Sequence, residues 1–588
     1  MFLKCSERHK NGKVHRSWSV VESRRFPGGK VAQQHVLYLG ELNDSQQRAW
    51  ERSLSVIDEQ SGEHRQLALF PADRPLPTTD TATVQVRLDE LRLENPRQWG
   101  ACWLGDHLWR TLHLDDFFGA RLPVSREGTD WEKVLRILVL YRLLAPGAEW
   151  RLHRHWFSTT ALADLLGVDA RAAQDDTLYR CHDQVLPLKE DLFGHLRQRW
   201  SDLFQAKFDV LLYDLTSTYF ECDVPEDEND PRRFGYSRDK RSDCVQVVVA
   251  IVVTPEGLPL AYEMLPGNTA DKTTLRAMLA KIRARFGVAE RIWVMDRGIP
   301  TEAILTELRR EDSGVRYLVG TPKGRLTRFE TELAGLPWRE VHAKLRVKLL
   351  PCDGEVYVLA QSAARVDKER GMRRRALKKY WQRLGALTRL KNPPTRDELL
   401  LKLGHAAAQA GAAAALVQIT VSTEGGLTYQ LDRAKLRHVR QREGRYLLRT
   451  NLDANDPELI WRCYMQLVLV EEAFRTLKGD LALRPIYHQT PERIEAHLFI
   501  AFLAYCLAIT LRQQLRAVAA GLMPRVVFEK FATLQMLDVS VPTNDGRELL
   551  LVRHTEPNRE VALLLHQLGF ELPPQAPPKI RAPKPAAL

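Results

Sequence analysis

Two aspartates that close apolar runs, and a glutamate on a later amphipathic segment, are the residues of this sequence best suited to chemistry. Asp214 stands at the end of VLLYDL (210–215), and Asp296 ends RIWVMD (291–296). Glu471 and Glu472 lie in PELIWRCYMQLVLVEEAFRTLKGDL, which starts at Pro457. Carboxylates held side by side repel one another unless a cation sits between them. Hard cations such as Mg²⁺ take oxygen ligands of this kind. Three carboxylates can hold two ions about 3.5–4 Å apart, serving the attacking and leaving oxygens of an in-line displacement at phosphorus. Mn²⁺ is expected to substitute. Taken singly, each acid has a plainer reading: an Asp at a strand end commonly belongs to a turn or a helix cap, and Glu471 also fits an exposed helix face.

Helical geometry chooses between the two glutamates. Residues seven apart lie roughly 20° apart around a helix, so Tyr464, Glu471 and Lys478 form one stripe, with Leu467 and Phe474 beside it. Glu472 points about 100° away and is expected in solvent. Lys478 on the stripe would neutralise a phosphate as a point charge.

The elements that must position these groups follow in a definite order. VLLYDL, VQVVVAIVV (245–253) and LPLAYEML (258–265) read as strands, the last two joined by the turn TPEG. The helix DKTTLRAMLAKIRARF comes next, then the strand RIWVMD, the helix TEAILTELRR and the strand RYLVGT (316–321). A three-strand meander, a helix, a strand, a helix and a strand is the order of a ribonuclease H-like sheet. There the first and fourth strands are neighbours, which would bring Asp214 beside Asp296. About 120 residues of different character separate the fifth strand from the segment at Pro457.

The expected fold class is therefore α/β. A ribonuclease H-like catalytic domain (206–324 and 446–515) is interrupted by an insertion (325–445). It is preceded by a small β-sheet (1–41) and a mostly helical DNA-binding region (42–205). Helical signals begin near Ser45, and ADRPLPTTDTAT from Ala72 reads as a linker. A C-terminal region (516–572) and a Pro-rich tail (573–588), expected to be disordered, complete the chain.

The 588 residues carry a formal net charge of +12, which favours a polyanionic partner. The stretch 365–391 has eleven Lys or Arg against two acids, including Arg373, Arg374, Arg375, Lys378 and Lys379, a density suited to DNA phosphates. Tyr380 and Trp381 within it are expected to pack rather than stack on bases. None of the eight cysteines forms a CxxC pair, which argues against zinc fingers and a disulfide framework and fits a reducing cytoplasm. The apolar run Ala496–Thr510 is shorter than the roughly 20 residues of a membrane span and reads as a buried helix. His488 and His497 read as structural.

The Tyr464, Glu471, Lys478 spacing resembles the Tyr-x2-Arg-x3-Glu-x6-Lys signature of bacterial insertion-sequence DDE transposases, in their large-transposase branch. DRG at 296–298 is similar to that family's second-aspartate motif, and YDLTSTYFE, MLPGNTAD and EEAFRTLKGDLALRPIYH resemble its flanking motifs. The likeness runs over roughly residues 130–515. Leu467 replaces the signature's Arg, so a phosphate contact is missing there, for which Arg475 or Arg484 is a substitute. FGYSRDKRSD (234–243) is similar to a family loop whose Arg238 and Lys240 would face phosphate. The resemblance implies an enzyme that binds the inverted repeats at its element's ends, cuts there with two Mg²⁺ ions held by Asp214, Asp296 and Glu471, and joins the freed 3′-hydroxyl to target DNA. It also implies a homodimer on paired ends, acting on the bacterial nucleoid in the cytoplasm. Related enzymes release the element through a DNA hairpin. The competing readings are a ribonuclease H-like nuclease or resolvase without strand transfer, and a domesticated DNA-binding protein.

Overall fold

The computed structural model describes residues 2–10, 13–25, 31–40, 53–58, 64–70, 83–286, 291–296, 298–310, 315–321, 329–342, 345–352, 354–390, 394–422, 426–452 and 457–582. The chain divides into two compact units, Met1–Cys181 with Thr510–Leu588, and His182–Ile509.

In the first unit, strands Phe2–Lys10, Lys13–Arg25 and Val31–Gly40 pair in an antiparallel sheet. The helical signal expected from Ser45 falls partly on residues 41–52, outside the described residues. Beyond them the backbone is extended, not helical: Ser53–Asp58 and His64–Phe70 are strands. They join a seven-stranded sheet with Lys579–Arg581, Glu548–His554, Gln535–Pro542 and Arg92–Gln98. Local periodicity misses these strands because their sheet is completed by partners some 500 residues away. The expected linker from Ala72 lies outside the described residues up to residue 82. The Pro-rich tail also departs from expectation. Ile580 is buried with Val84, Val86, Val541 and Leu549, and this apolar contact fixes Lys579–Arg581 as a strand. Residues 583–588 lie outside the described residues. Helices Gly100–Thr111 and Trp131–Leu144 of this unit enclose a paired charge network, in which buried Arg136 donates to Asp106 at 2.6 Å and to Glu132 at 2.6 Å.

The second unit is built on a nine-stranded sheet. Its strands are β1 (Val210–Phe220), β2 (Val245–Val253), β3 (Pro259–Pro266), β4 (Arg291–Met295), β5 (Val315–Thr321), β6 (Arg339–His342), β7 (Leu345–Cys352), β8 (Glu355–Ser362) and β9 (Arg445–Thr450). The spatial order is β3-β2-β1-β4-β5-β9-β8-β7-β6. β1, β2 and β3 form the expected antiparallel meander, and β4 lies parallel to both β1 and β5. β2 is buried along its whole length, in keeping with a run that is apolar and β-branched except at Gln246 and Ala250. Within the segment 325–445, β6–β8 extend this same sheet, and β9 closes back between β5 and β8, antiparallel to both.

The helices that bear on the site are α1 (Lys189–Phe204), α2 (Asp271–Phe286), α3 (Glu302–Leu308), α4 (Ala363–Leu387), α5 (Arg396–Ala410), α6 (Arg433–Gln441), α7 (Pro457–Met465), α8 (Leu467–Arg475) and α9 (Pro491–Val518). α1 belongs with this unit rather than with the preceding helical region, because its Phe193 is buried against Tyr262 of β3 and Phe502 of α9. α4, α5 and the hairpin Val417–Val421/Leu427–Leu431 have a small core of their own around Tyr380, Leu384, Leu399 and Leu403. α9 contains the apolar run expected to be a core helix. It is long and apolar enough to cross a membrane, yet 94% of its apolar window is buried in protein.

Candidate active site

Alternation along β1 sends neighbouring side chains to opposite faces. The Tyr213 hydroxyl donates to Thr274 Oγ1 of α2 at 2.8 Å, so Asp214 looks to the other face, where α8 packs against β1. In the parallel pairing of β1 with β4, Met295 stands opposite Tyr213. Asp296 follows Met295 just past the end of β4, whereas Asp214 follows Tyr213 in mid-strand, because β1 runs on to Phe220 instead of ending at Asp214 as expected; the two aspartates still stand at the same level of adjacent strands. Asp214 is half-buried, and Asp296 and Glu471 are exposed.

The three acids share one electrostatic neighbourhood. Burial pushes the Asp214 carboxyl up to about 7, and the charges of Asp296 and Glu471 push it the same way. A hydrogen bond from its own neighbour, Leu215 N–H, and the Arg238 guanidinium oppose the rise. A carboxyl in this setting gains from any cation that joins the acids.

The segment carrying Glu471 is not the single helix expected. α7 ends at Met465, α8 starts at Leu467, and Thr476–Asp480 widens into a π turn. The break alters the stripe. α7 packs on β5, whereas α8 packs on β1. Tyr464 therefore packs among aromatic rings, with centroids 5.7 Å from Tyr446 and 6.0 Å from Trp461, rather than over Asp214. Glu471 is the glutamate whose charge acts on Asp214, although Glu472, expected in solvent, is the more buried of the two. Glu471 is exposed, as Asp296 is.

The expected phosphate contacts divide. Lys478 Nζ lies 3.1 and 3.2 Å from the two carboxylate oxygens of Asp239. Arg484 Nη1 is 2.9 Å from the same carboxylate. Arg238 Nη2 donates to Asp271 at 2.6 Å, and its charge also reaches Asp214 and Lys478. Lys240 is exposed with a φ of 60°, and Arg475 is exposed in the last turn of α8. Arg297, the second residue of DRG, lies outside the described residues. On α4, Arg374, Arg375, Lys378 and Lys379 are exposed, but Arg373 is turned inward onto buried Glu443. Its guanidinium is held below its ordinary value by burial, with Arg440, Arg370 and Arg374 pushing the same way. Tyr380 is buried, as expected, whereas Trp381 touches Tyr429 edge-on at 4.8 Å but stays exposed on the surface.

Sequence reasoning missed Asp239 and Asp271, which pair the cations at this site. Both lie in polar segments where an Asp carries no distinguishing signal. The close packing of MLPGN was also missed. Gly267 donates its N–H to Pro231 O at 2.9 Å, and a Cβ there would collide with the Gln246 and Arg233 carbonyls. That close approach presses the loop bearing Arg238 and Asp239 onto the end of β3. His488 and His497 form an edge-to-face pair, with centroids 5.4 Å apart.

The chain matches the transposase DDE domain over residues 217–507 and the N-terminal domain of IS1634 family transposases over residues 3–68. It belongs to the insertion-sequence DDE transposases. The DDE match includes Asp296 and Glu471 and begins three residues beyond Asp214. No curated protein matches the transposase. Solved structures similar to it include a piggyBac transposase synaptic complex with hairpin DNA, 10% identical over 73% of this chain and 79% of that one, with a TM-score of 0.34. Another is the Mos1 transposase paired-end complex with left transposon end, 14% identical over 26% of this chain and 52% of that one, with a TM-score of 0.14.

Proposed function

We propose that this transposase binds the inverted repeats at its element's ends, cleaves DNA there and joins the freed end to target DNA, with two divalent ions held by Asp214, Asp296 and Glu471. The observation that carries this reading is the convergence of three acids from β1, the end of β4 and α8, two of which raise the proton affinity of the third. The strand order β3-β2-β1-β4-β5, with α8 across β1, supports reading this part as a ribonuclease H-like fold carrying the segment 325–445 as its insertion.

The donor set fits hard divalent cations. All three groups are carboxylates, and the half-buried one is drawn toward neutrality by burial, with the charges of Asp296 and Glu471 pushing the same way. When bound, such ions supply an activated water or 3′-hydroxyl and stabilise the leaving oxygen. The chain's own residues do the rest. Asp214 and Asp296 are fixed by the β1–β4 register, so their separation is set by the sheet. Glu471 approaches from α8. Lys478, Arg484 and Arg238 furnish positive charge beside the acids for backbone phosphates. The exposed cations of α4 add a second surface for DNA, and two ends brought together imply a homodimer.

The test uses supercoiled plasmid carrying the element's ends. Wild-type protein with Mg²⁺ or Mn²⁺ should cut at the ends and insert the released fragment. Asp214→Ala, Asp296→Ala and Glu471→Ala should each lose cutting while retaining end binding. Undiminished cutting in excess EDTA would contradict the metal-dependent reading, and cutting without joining would reduce the enzyme to a nuclease.

A further inference from the structure

Asp239 sits in the loop between β1 and β2 and is shared by two cations from the segment that follows Glu471. Its carboxylate oxygens lie 3.1 and 3.2 Å from Lys478 Nζ, and Oδ2 lies 2.9 Å from Arg484 Nη1. The three side chains are 18%, 15% and 23% exposed. Arg484 is held from behind by Tyr219 of β1, its guanidinium 5.0 Å from the ring centroid, while Arg241 lies 4.7 Å from the same centroid. Burial lowers the affinity of the Lys478 ammonium for its proton, with Arg484 and Arg238 pushing the same way and Asp239 opposing. Two cations are thus aimed at a single anionic position, next to the acids that would act on DNA.

We infer that Asp239 occupies the place of a DNA backbone phosphate in the DNA-free transposase, and that Lys478 and Arg484 are a two-cation clamp handed to that phosphate when Asp239 is displaced. This rests on the reading of the acid cluster as a DNA-cleaving centre. A carboxylate and a phosphodiester both present two charged oxygens, which a guanidinium grips as a fork and an ammonium as a point charge. Asp239 lies on a loop outside the sheet ladder, so its displacement unmakes no strand pairing. Arg484 also supplies a guanidinium in a chain where Leu467 stands in place of the signature's arginine. The ordinary alternative is a structural tie between the loop and the segment after α8, and the two roles differ in sign. Removing a tie weakens DNA binding, whereas removing a phosphate surrogate strengthens it.

The experiment is fluorescence anisotropy of full-length protein on a labelled duplex carrying the element's end, in EDTA to prevent cleavage, across a salt series. Asp239→Asn keeps the side chain's size and removes its charge. It is expected to bind about tenfold more tightly at low salt, with the slope of log affinity against log salt steeper by roughly 1–2, because the freed cations now shed counterions on binding. Adding Arg484→Gln should cancel that gain. Asp239→Asn binding no more tightly than wild type, with an unchanged slope and a native circular dichroism spectrum, would overturn the surrogate role. If Asp239→Asn does not fold, Arg484→Gln alone decides. A slope shallower by roughly 1 at an unchanged melting temperature and Mn²⁺ affinity supports the clamp, since a lost tie would lower the melting temperature without removing a phosphate contact, and an unchanged slope overturns it. Wild-type cleavage in Mg²⁺ separates the two levels. A wild type that cuts the ends while Asp239→Asn binds no more tightly defeats the clamp alone, whereas a wild type that neither binds nor cuts them defeats the DNA-cleaving reading and the clamp with it.

Discussion

Glu355 on β8 and Asp214 on β1 are carboxylates of one nine-stranded sheet, and their surroundings differ in kind. Glu355 is 3% exposed and fully compensated. It accepts from Arg449 Nε at 3.0 and 3.2 Å and Nη2 at 2.5 Å, from Arg309 Nη1 at 3.0 Å, and from the Tyr317 hydroxyl. Asp214 accepts one hydrogen bond from its own neighbour and faces two further acids. Buried charges are ordinarily paired within the chain. Glu355 obeys that rule and holds β5, β8 and β9 together, while the partial burial of Asp214 among like charges leaves room for a cation from outside. The same chemical group is paired within the chain in one place and, on the proposed reading, takes its partner from a divalent ion in the other.

Breaking the Asp214 side of this comparison should have the largest effect. Asp214→Asn, Asp296→Asn or Glu471→Gln should each reduce cleavage by about 10³-fold or more, equivalent to about 4 kcal/mol of barrier. Thermal stability in EDTA should not fall in Asp214→Asn, which relieves a repulsion. The sign with pH follows from the raised carboxyl value. In chelated protein the folded chain binds this proton more tightly than the unfolded chain. Wild-type stability should therefore decline as pH rises through about 7, and Asp214→Asn should lack that decline; melting scans in EDTA from pH 5 to 8 check both.

Breaking the Glu355 side should instead damage the fold. Arg449→Met leaves buried Glu355 with Arg309 as its remaining cation, and Glu355→Gln leaves Arg449 with only Glu302, so each should cost up to about 3–5 kcal/mol of stability in urea unfolding. Mn²⁺ affinity of the folded fraction should be unchanged. A loss of metal binding without a loss of stability would reverse the roles assigned to the two carboxylates.

How much of this contrast could be read from the sequence depends on the range of the interactions. VLLYDL, VQVVVAIVV and RIWVMD announce strands buried on both faces, and an Asp among such apolar runs stands out, so Asp214 and Asp296 are legible. Glu471 is legible from its spacing to Lys478, even though the break at Gln466 takes Tyr464 elsewhere. Glu355 is not legible, because its partners Arg309, Tyr317 and Arg449 come together only when β9 returns between β5 and β8. The strands Ser53–Asp58 and His64–Phe70 are lost for the same reason, since they share a sheet with Lys579–Arg581. Asp239 is one polar residue in a polar loop, and only its contacts reveal it.

A smaller contrast separates the neighbouring glutamates. Glu471→Gln should be inactive, while Glu472→Gln should keep most cleavage activity and cost at most about 1 kcal/mol of stability. Testing both in one assay checks which residue of the pair faces Asp214. The smallest effects belong to α4. Replacing Arg374, Arg375 and Lys378 together by Gln should weaken DNA binding across sequences and lower its salt slope by roughly 1–3, while Arg373→Gln, already held by Glu443, should leave that slope unchanged. Identical salt slopes for the triple variant and wild type would remove α4 from the DNA surface.

The central claim is that Asp214, Asp296 and Glu471 together hold the divalent ions. Mn²⁺ binding by electron paramagnetic resonance, on wild type and on the three Asn or Gln variants with native folding verified, tests it without DNA. Wild type should bind Mn²⁺, and each variant should lose at least about tenfold in affinity. Equal Mn²⁺ affinity in wild type and all three variants would contradict the account, whatever their activity.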